Sequence, residues 1–549
     1  MSTGPGEVRR AEADPAPTLD TQELTPDAPA SGLEPRSGGA VDRTPRPGRR
    51  RRRARAAASP GRWAGWWRLI AIAASLGACL LAMALSSPPG SAPDEQSHLE
   101  KAWTLSHGQP LDTPRLRVPV VLVKAYCNLP PATPRGPCNT PTGAIASPEV
   151  EVVNSTHLYP AAFHRALGWF WTSNLTSSVL RMRAFVSMLC VLLVMVPLVL
   201  VRVFAGATAV RAVGLPFLVC LSPLALFLMA SVNPSSLEMA GGICSWGSVV
   251  ALAQARRRWH VVASAGAMLI GVLAGFLTRP NGGLLLAASL FCAGPLLLTR
   301  VAPSDARRRR GFWAGVTAVY ATGGLLAVLL ISRGALRVQW LVNPPPPLVP
   351  HPPVWHWLTD ALKSADVVLG AFGPLGWLDT PLPSIIGTIT LAVGGYVVLG
   401  AIRRGRVAVA VSVALSAIVS LGLTTAVLAS GIPPDGNVQT RYFWSVYIGV
   451  LFIAAAGLVV TDGLEDLLGG PVRVVLVAAM TLASTIAFFT NLRRYTTGLK
   501  EFPFLAPVLW QPRLLGVGGL LVAFVVGYVV LAWSVTGRGR RPVTAAEPT

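Results

Sequence analysis

From Trp66 onward, apolar runs of about twenty residues alternate with short polar punctuation, and a helix needs about that length to cross a bilayer. The runs fall at about 66–86, 179–201, 211–230, 236–254, 260–277, 283–299, 312–332, 384–401, 407–430, 442–461, 473–490 and 514–535. The pattern predicts an all-α polytopic integral membrane protein with about twelve transmembrane helices. Residues 1–62 are rich in Pro, Ala, Gly, Glu and Arg and almost lack large apolar side chains, so a disordered tail is expected there. A transmembrane domain over 63–536 and a basic tail over 537–549 complete the expected plan. Two connections, about 87–178 and about 333–383, are far longer than a turn requires, and loops of that size usually carry function. The first apolar run starts too far along for a cleaved signal peptide to be expected.

Composition sharpens this picture. The 549 residues are 52% hydrophobic and only 13% charged, about half the charge of a soluble protein. The net charge of +22 comes almost wholly from arginine, since Lys101, Lys124, Lys363 and Lys500 are the only lysines. Arginine clusters at 49–55, 202–211, 256–258, 300–310, 403–406 and 538–541 all fall on one side of the predicted topology. The positive-inside rule places that side, and both termini, in the cytoplasm of a multi-pass membrane protein, with no nucleic-acid partner needed to explain the charge. Five cysteines lie in apolar runs, whereas Cys127 and Cys138 flank a Pro-rich turn in the first outer loop and form a disulfide candidate.

The opposite face gathers the polar motifs. Ser91-Ala-Pro93-Asp94-Glu95-Gln-Ser-His98 follows the first span, where charge is costly unless used. Pro93 suits the first turn of a helix, on which Asp94 and His98 would share a face. The same stretch also reads as a capping box, Ser91-x-x-Asp94, with no further role. On this side too lie His157 and Tyr159-Pro160, Asn233-Pro234 with Glu238, Arg279-Pro280, Gln439-Thr-Arg441-Tyr442 and Arg493-Arg494-Tyr495. Each has a plainer reading: Asn-Pro as a turn, the tyrosines as interfacial anchors, the arginines as snorkelling side chains. Taken together, separated arginines and one acidic motif suit an anionic substrate and a base. They suggest group transfer from a membrane-borne phosphate donor, with Arg441, Arg279 and Arg494 on the phosphate and Asn233, Glu238, His157, Tyr159 and Tyr442 lining the substrate.

The order Pro93-Asp94-Glu95-x-x-His98, Tyr159-Pro160, Asn233-Pro234-Ser235 and Arg441-Tyr442-Phe443 resembles a bacterial, largely actinobacterial, family of predicted membrane proteins of unknown function. That family is grouped with the C-type glycosyltransferase superfamily, and the resemblance spans about residues 66–535. It implies a polyprenyl-phosphate-linked sugar as donor, an envelope glycan or lipid as acceptor, and no nucleotide-sugar site. It also implies an acidic residue in the first outer loop as base or metal-linked acid; here that is Asp94, with Glu95 and His98 beside it. No cofactor is certain from these motifs. A divalent cation stays open, because Glu95 and His98 could contribute to one although the loop has no second paired acid. The competing readings are a transporter or flippase of lipid-linked precursors and a non-catalytic envelope-assembly protein.

Overall fold

The computed structural model describes residues 61–110, 113–125, 144–145, 148–156, 159–206, 209–332, 359, 361–364, 373–377, 379–429, 439–461, 463, 467–499, 508 and 510–537. The expected N- and C-terminal tails, Cys127, Cys138, His157 and most of the second long loop lie outside them.

Helix α1 (Gly61–Leu85) leads into a small layer over the bundle end. This layer comprises α2 (Glu95–Ser106), strand β1 (Arg115–Pro119), the short α3 (Val120–Val123), strand β2 (Glu149–Val153) and α4 (Ala161–Gly168). The two strands pair antiparallel, with Arg117 opposite Glu151. They are the one departure from a wholly helical expectation among the described residues, and α2 packs on both α4 and β1. The chain returns through α5 (Leu175–Ala205), whose start is capped by Asn174: its side chain accepts from the Ser177 amide.

The bundle continues with α6 (Val210–Cys220), α7 (Pro223–Met229), α8 (Ser235–Leu252), α9 (Arg258–Thr278), α10 (Pro280–Leu290), α11 (Gly294–Leu298) and α12 (Ala306–Ser332). Then come α13 (Ser384–Arg404), α14 (Val407–Ala429), a 3-10 turn (Thr440–Tyr442), α15 (Trp444–Tyr447), α16 (Gly449–Val460), α17 (Gly470–Thr496) and α18 (Gly516–Thr536).

Eight helices among the described residues are long and apolar enough to cross a membrane, or up to nine if the bent pair α6–α7 counts as one span. The sequence pattern predicts about twelve. The other four predicted spans fall on the pair α6–α7, on α8, on α12 and on Trp444–Val460. α6 and α7 meet at a 91° bend, and Trp444–Val460 is a shorter apolar helix. α8 carries Glu238 and four serines, and α12 opens on four arginines. Periodicity alone does not separate a buried or broken helix from a straight span.

The centre of the bundle is α8, packed by α5, α9, α16 and α15 and buried along nearly its whole length. Small residues allow this. A side chain at Gly241 would strike the Gly271 carbonyl of α9, so the two backbones touch where an alanine would hold them apart. Trp246 fills the space behind and donates its indole N–H to the Ser445 carbonyl at 2.8 Å. α1 packs on α18 and α5, and Phe488 of α17 stacks on Phe524 of α18 at 4.1 Å. The outward faces stay apolar: Leu269, Ile270, Leu273 and Leu277 of α9 are all exposed, as suits a surface solvated by lipid.

Arginines cap carbonyls at the end away from the α2 layer. Arg68 donates to the carbonyls of Ser534 and Val535 at the close of α18, and Arg300 to those of Leu252, Ala253 and Ala255 at the close of α8. Helix C-termini leave carbonyls unpaired and partly negative, so these cations satisfy both needs.

Candidate functional site

The site is built on the turn between α1 and α2. Ser87-Pro-Pro-Gly90 cannot continue a helix, and Gly90 takes φ 77°, a left-handed conformation open to glycine. The turn closes around a buried ion pair. Arg183 of α5 donates from Nε to Glu95 Oε1 at 2.9 Å and from Nη2 to Glu95 Oε2 at 2.6 Å, and both side chains are excluded from solvent. Glu95 also accepts the Gly90 amide at 2.9 Å and the Val232 amide at 3.0 Å. Arg183 donates to the carbonyls of Ala84, Ser87 and Pro88, so it caps the end of α1 as well. Nearby, Asn233 donates to the Pro93 carbonyl at 2.7 Å and accepts the Ser235 amide. Glu95 and Asn233 therefore hold the turn in place; their polar atoms are taken up by the protein itself.

The result is an unusual backbone at Asp94, with φ 59° and ψ 6°. Left-handed backbone at a non-glycine residue costs roughly 1–2 kcal/mol, eased somewhat for Asp. Asp94 makes no side-chain cap bond to α2. Ser91 bonds to Ser87 and Arg183, and Pro93 lies before the first helical residue rather than within it. The capping-box reading is thus corrected. Asp94 instead turns outward, 42% exposed, and accepts from Arg441 Nη2 at 2.5 Å.

Arg441 sits in the 3-10 turn before α15. It is buried, and its Nε and Nη1 have no partner among the described residues. Its neighbour Tyr442 presents its ring to two guanidinium groups, with Arg279 at 3.8 Å and Arg441 at 5.3 Å from the ring centroid. Arg279, at the α9–α10 junction, faces Glu238 across 3.6 Å, longer than a hydrogen bond, and its Nη1 is otherwise unpaired. Glu238 accepts from Ser445 at 3.3 Å.

The α2 layer closes the other flank. His164 Nδ1 lies 3.2 Å from the Pro160 carbonyl, which can only accept, so this nitrogen carries the proton. His164 Nε2 is then the acceptor for His98 Nδ1 at 3.1 Å. Burial pushes both imidazoles well below their ordinary 6.5, helped for His98 by Arg441, Lys101 and Arg279, so both are neutral at pH 7. Tyr159 stands edge-on to His98 at 5.0 Å. Its hydroxyl is pushed above 10 by burial, with Arg279 and Arg441 pulling the other way and Tyr442 and Asp94 adding to the rise. Lys101 donates to the carbonyls of Thr156 and Tyr159 at 2.6 Å each and so holds Tyr159 in place.

The structure therefore gathers Asp94, His98, Tyr159, Glu238, Arg279, Arg441 and Tyr442 into one cluster. Arg494 does not join it. It pairs with Asp379 at 2.7 Å on the other side of the turn, where Trp377 donates to the Gly90 carbonyl at 2.8 Å and Tyr495 to that of Ser91 at 3.4 Å. Nor do Glu95 and His98 offer a cation site. Glu95 is filled by Arg183 and two amides, His98 by His164, and no group of three His, Cys, Asp or Glu residues that could hold a metal occurs among the described residues.

Sequence reasoning missed Arg183, His164, Lys101 and Asp379. Arg183 had a signal: an arginine inside an apolar run must be paired. Lys101 and His164 lie on the short helices α2 and α4 and Asp379 in a turn, with no motif to mark them.

No curated protein matches the chain, and no solved structure does so. Residues 78–450, which carry the whole cluster from Asp94 to Tyr442, match the family model described as Predicted membrane protein (DUF2142), and the chain belongs to that family.

Proposed function

We propose that the chain is a glycosyltransferase of the bacterial cell membrane, moving a sugar from a polyprenyl-phosphate donor to an envelope glycan or lipid. In this reading the twelve apolar segments form a C-type glycosyltransferase-like bundle, with both termini cytoplasmic and Asp94 on the extracytoplasmic side. The Asp94–Arg441 pair carries the proposal. A half-exposed carboxylate is held in strained backbone against a buried arginine that keeps two unpaired donors. Strain and orphaned donors of this kind cluster where a ligand completes the arrangement.

The chemistry follows from the parts. An acceptor hydroxyl attacks the anomeric carbon while the bond from that carbon to the phosphate oxygen breaks. The electron pair leaves on the polyprenyl phosphate, and Asp94 takes the hydroxyl proton. Arg441 and Arg279 meet the charge developing on the departing phosphate. Phosphate entry draws Arg441 away from Asp94 and frees the carboxylate oxygen to accept the hydroxyl proton. Asp94 forms no bond to the sugar, so the configuration inverts.

The test is sugar transfer from a panel of polyprenyl-phosphate sugars by detergent-solubilised protein. Asp94→Asn is expected to lose about 10²–10⁴-fold in turnover while remaining monodisperse, the range for a lost general base. Unchanged turnover in Asp94→Asn would sink the proposal. The 91° bend between α6 and α7 favours a second reading, transport or flipping of a lipid-linked precursor, because broken helices line carrier sites. Precursor movement in proteoliposomes without a transfer product would select it.

A further inference from the structure

At the arginine-capped end of the bundle, α12 leans on its neighbours through Tyr320. Its hydroxyl donates to the Phe291 carbonyl at 2.6 Å, and the two rings lie 4.5 Å apart. Between α12 and α14 the packing opens into a groove of about 790 Å³, floored by α11. That volume is within the roughly 300–1,000 Å³ usual for ligand sites.

The lining is ordered by chemistry. Arg309 and Arg406 stand at one end, Trp313 comes next, and Val316, Val411 and Leu415 follow. The lining has two guanidinium groups and no carboxylate. Asp305, the acid in the preceding turn, is engaged in accepting the Arg308 amide at 2.8 Å. Both helices advance into the bundle from their arginine ends. Eleven residues, from Arg309 to Tyr320, cover about 16 Å at 1.5 Å per residue. A bilayer hydrocarbon core is about 30 Å thick, so the groove is one leaflet deep. A tryptophan just inside the charged rim matches the depth at which that side chain prefers to sit.

We propose that this groove binds one anionic phospholipid, with the headgroup phosphate between Arg309 and Arg406 and an acyl chain along Val316, Val411 and Leu415. Charge complementarity selects an anionic headgroup over a zwitterionic one, and the depth selects a lipid over a free phosphate. The site is separate from the Asp94 cluster, and the proposal stands whether or not that cluster transfers sugar.

Native mass spectrometry of the delipidated full chain in neutral detergent tests it. The probes are phosphatidylglycerol, phosphatidylcholine with the same acyl chains, and water-soluble glycerol phosphate. A single phosphatidylglycerol adduct is expected, at least tenfold tighter than the phosphatidylcholine one. At about fivefold per arginine near a membrane surface, Arg309→Ala with Arg406→Ala should weaken it about 25-fold and leave phosphatidylcholine binding unchanged. Val411→Trp, which fills the groove and keeps both arginines, should also abolish the adduct. Arg257→Ala with Arg258→Ala, removing two arginines at the start of α9 that lie outside the lining, should change nothing. Equal binding of the two lipids, an equal loss in the Arg257/Arg258 control, or competition by glycerol phosphate as strong as by lipid would overturn the proposal.

Discussion

Glu95 and Asp94 are adjacent acids with opposite predicted responses to mutation. Glu95→Ala removes both bonds to Arg183 and leaves the Gly90 and Val232 amides without an acceptor. Breaking a buried ion pair from one side costs about 3–5 kcal/mol, and each orphaned amide adds about 1–3 kcal/mol. Arg183 keeps its three carbonyl acceptors, which offsets part of this, so a net loss of about 5 kcal/mol is expected. Total stabilities are about 5–15 kcal/mol, so Glu95→Ala should fail to accumulate as a folded species. Glu95→Gln combined with Arg183→Met removes both charges and retains one acceptor for an amide. It should recover at least about 2 kcal/mol relative to Glu95→Gln alone, as coupled partners do. Asp94→Asn keeps an oxygen for Arg441 and faces solvent, so it should cost no more than about 1–2 kcal/mol. The assay is fluorescence-detected size exclusion after graded heating in detergent, read as apparent melting temperature. If Glu95→Ala melts like wild type, or Asp94→Asn is the more damaging, the division of labour between the two acids is wrong.

Three further outcomes follow from the same geometry. Asp94→Gly should be more stable than Asp94→Ala by roughly 1–2 kcal/mol, because both lose the carboxylate that meets Arg441 and only glycine accepts φ 59° without the Cβ penalty; equal melting of the two would show that the conformation is not strained. Burial raises the Glu100 carboxyl from 4.5 to about 7, with the Gln96 bond opposing, so the folded state holds the extra proton between those values. Its stability contribution therefore falls as pH rises from 4.5 through 7, and Glu100→Gln should gain on wild type between pH 5 and pH 8; parallel melting curves across that range would refute this. Gly282→Ala would drive a Cβ into the Glu238 carboxyl and loosen Arg279 from Tyr442; a loss of about 1–3 kcal/mol is expected for overpacking, and melting equal to wild type would contradict the contact.

Much of this architecture is legible in the chain, for physical reasons that differ from place to place. Apolar runs mark helices because lipid demands internal backbone hydrogen bonding, and α1, α5, α9, α13, α14, α17 and α18 appear where the pattern puts them. The bend between α6 and α7 is harder to read, since Leu221-Ser-Pro223 interrupts an otherwise continuous apolar run only briefly. The members of the Asp94 cluster are recognisable singly as polar motifs on one side of the topology. Their pairing is not, because Asp94 with Arg441 and Glu238 with Arg279 depend on how helices pack, which no local pattern encodes. Arg183 shows the same limit from the other direction: hydropathy averages it into a span, while the fold makes it the partner that shapes the α1–α2 turn.

The two ion pairs at that turn also differ in when the growing chain can form them. Glu95 needs only Arg183 and Val232, so its hub can close once the chain has been inserted through the start of α8. Asp94 waits for Arg441, a partner 347 residues further on. The first pair therefore fixes the shape of the turn early in biogenesis, and the second completes it only near the end. A chain truncated before the 3-10 turn at Thr440 would present a fully formed Asp94 with nothing to meet it.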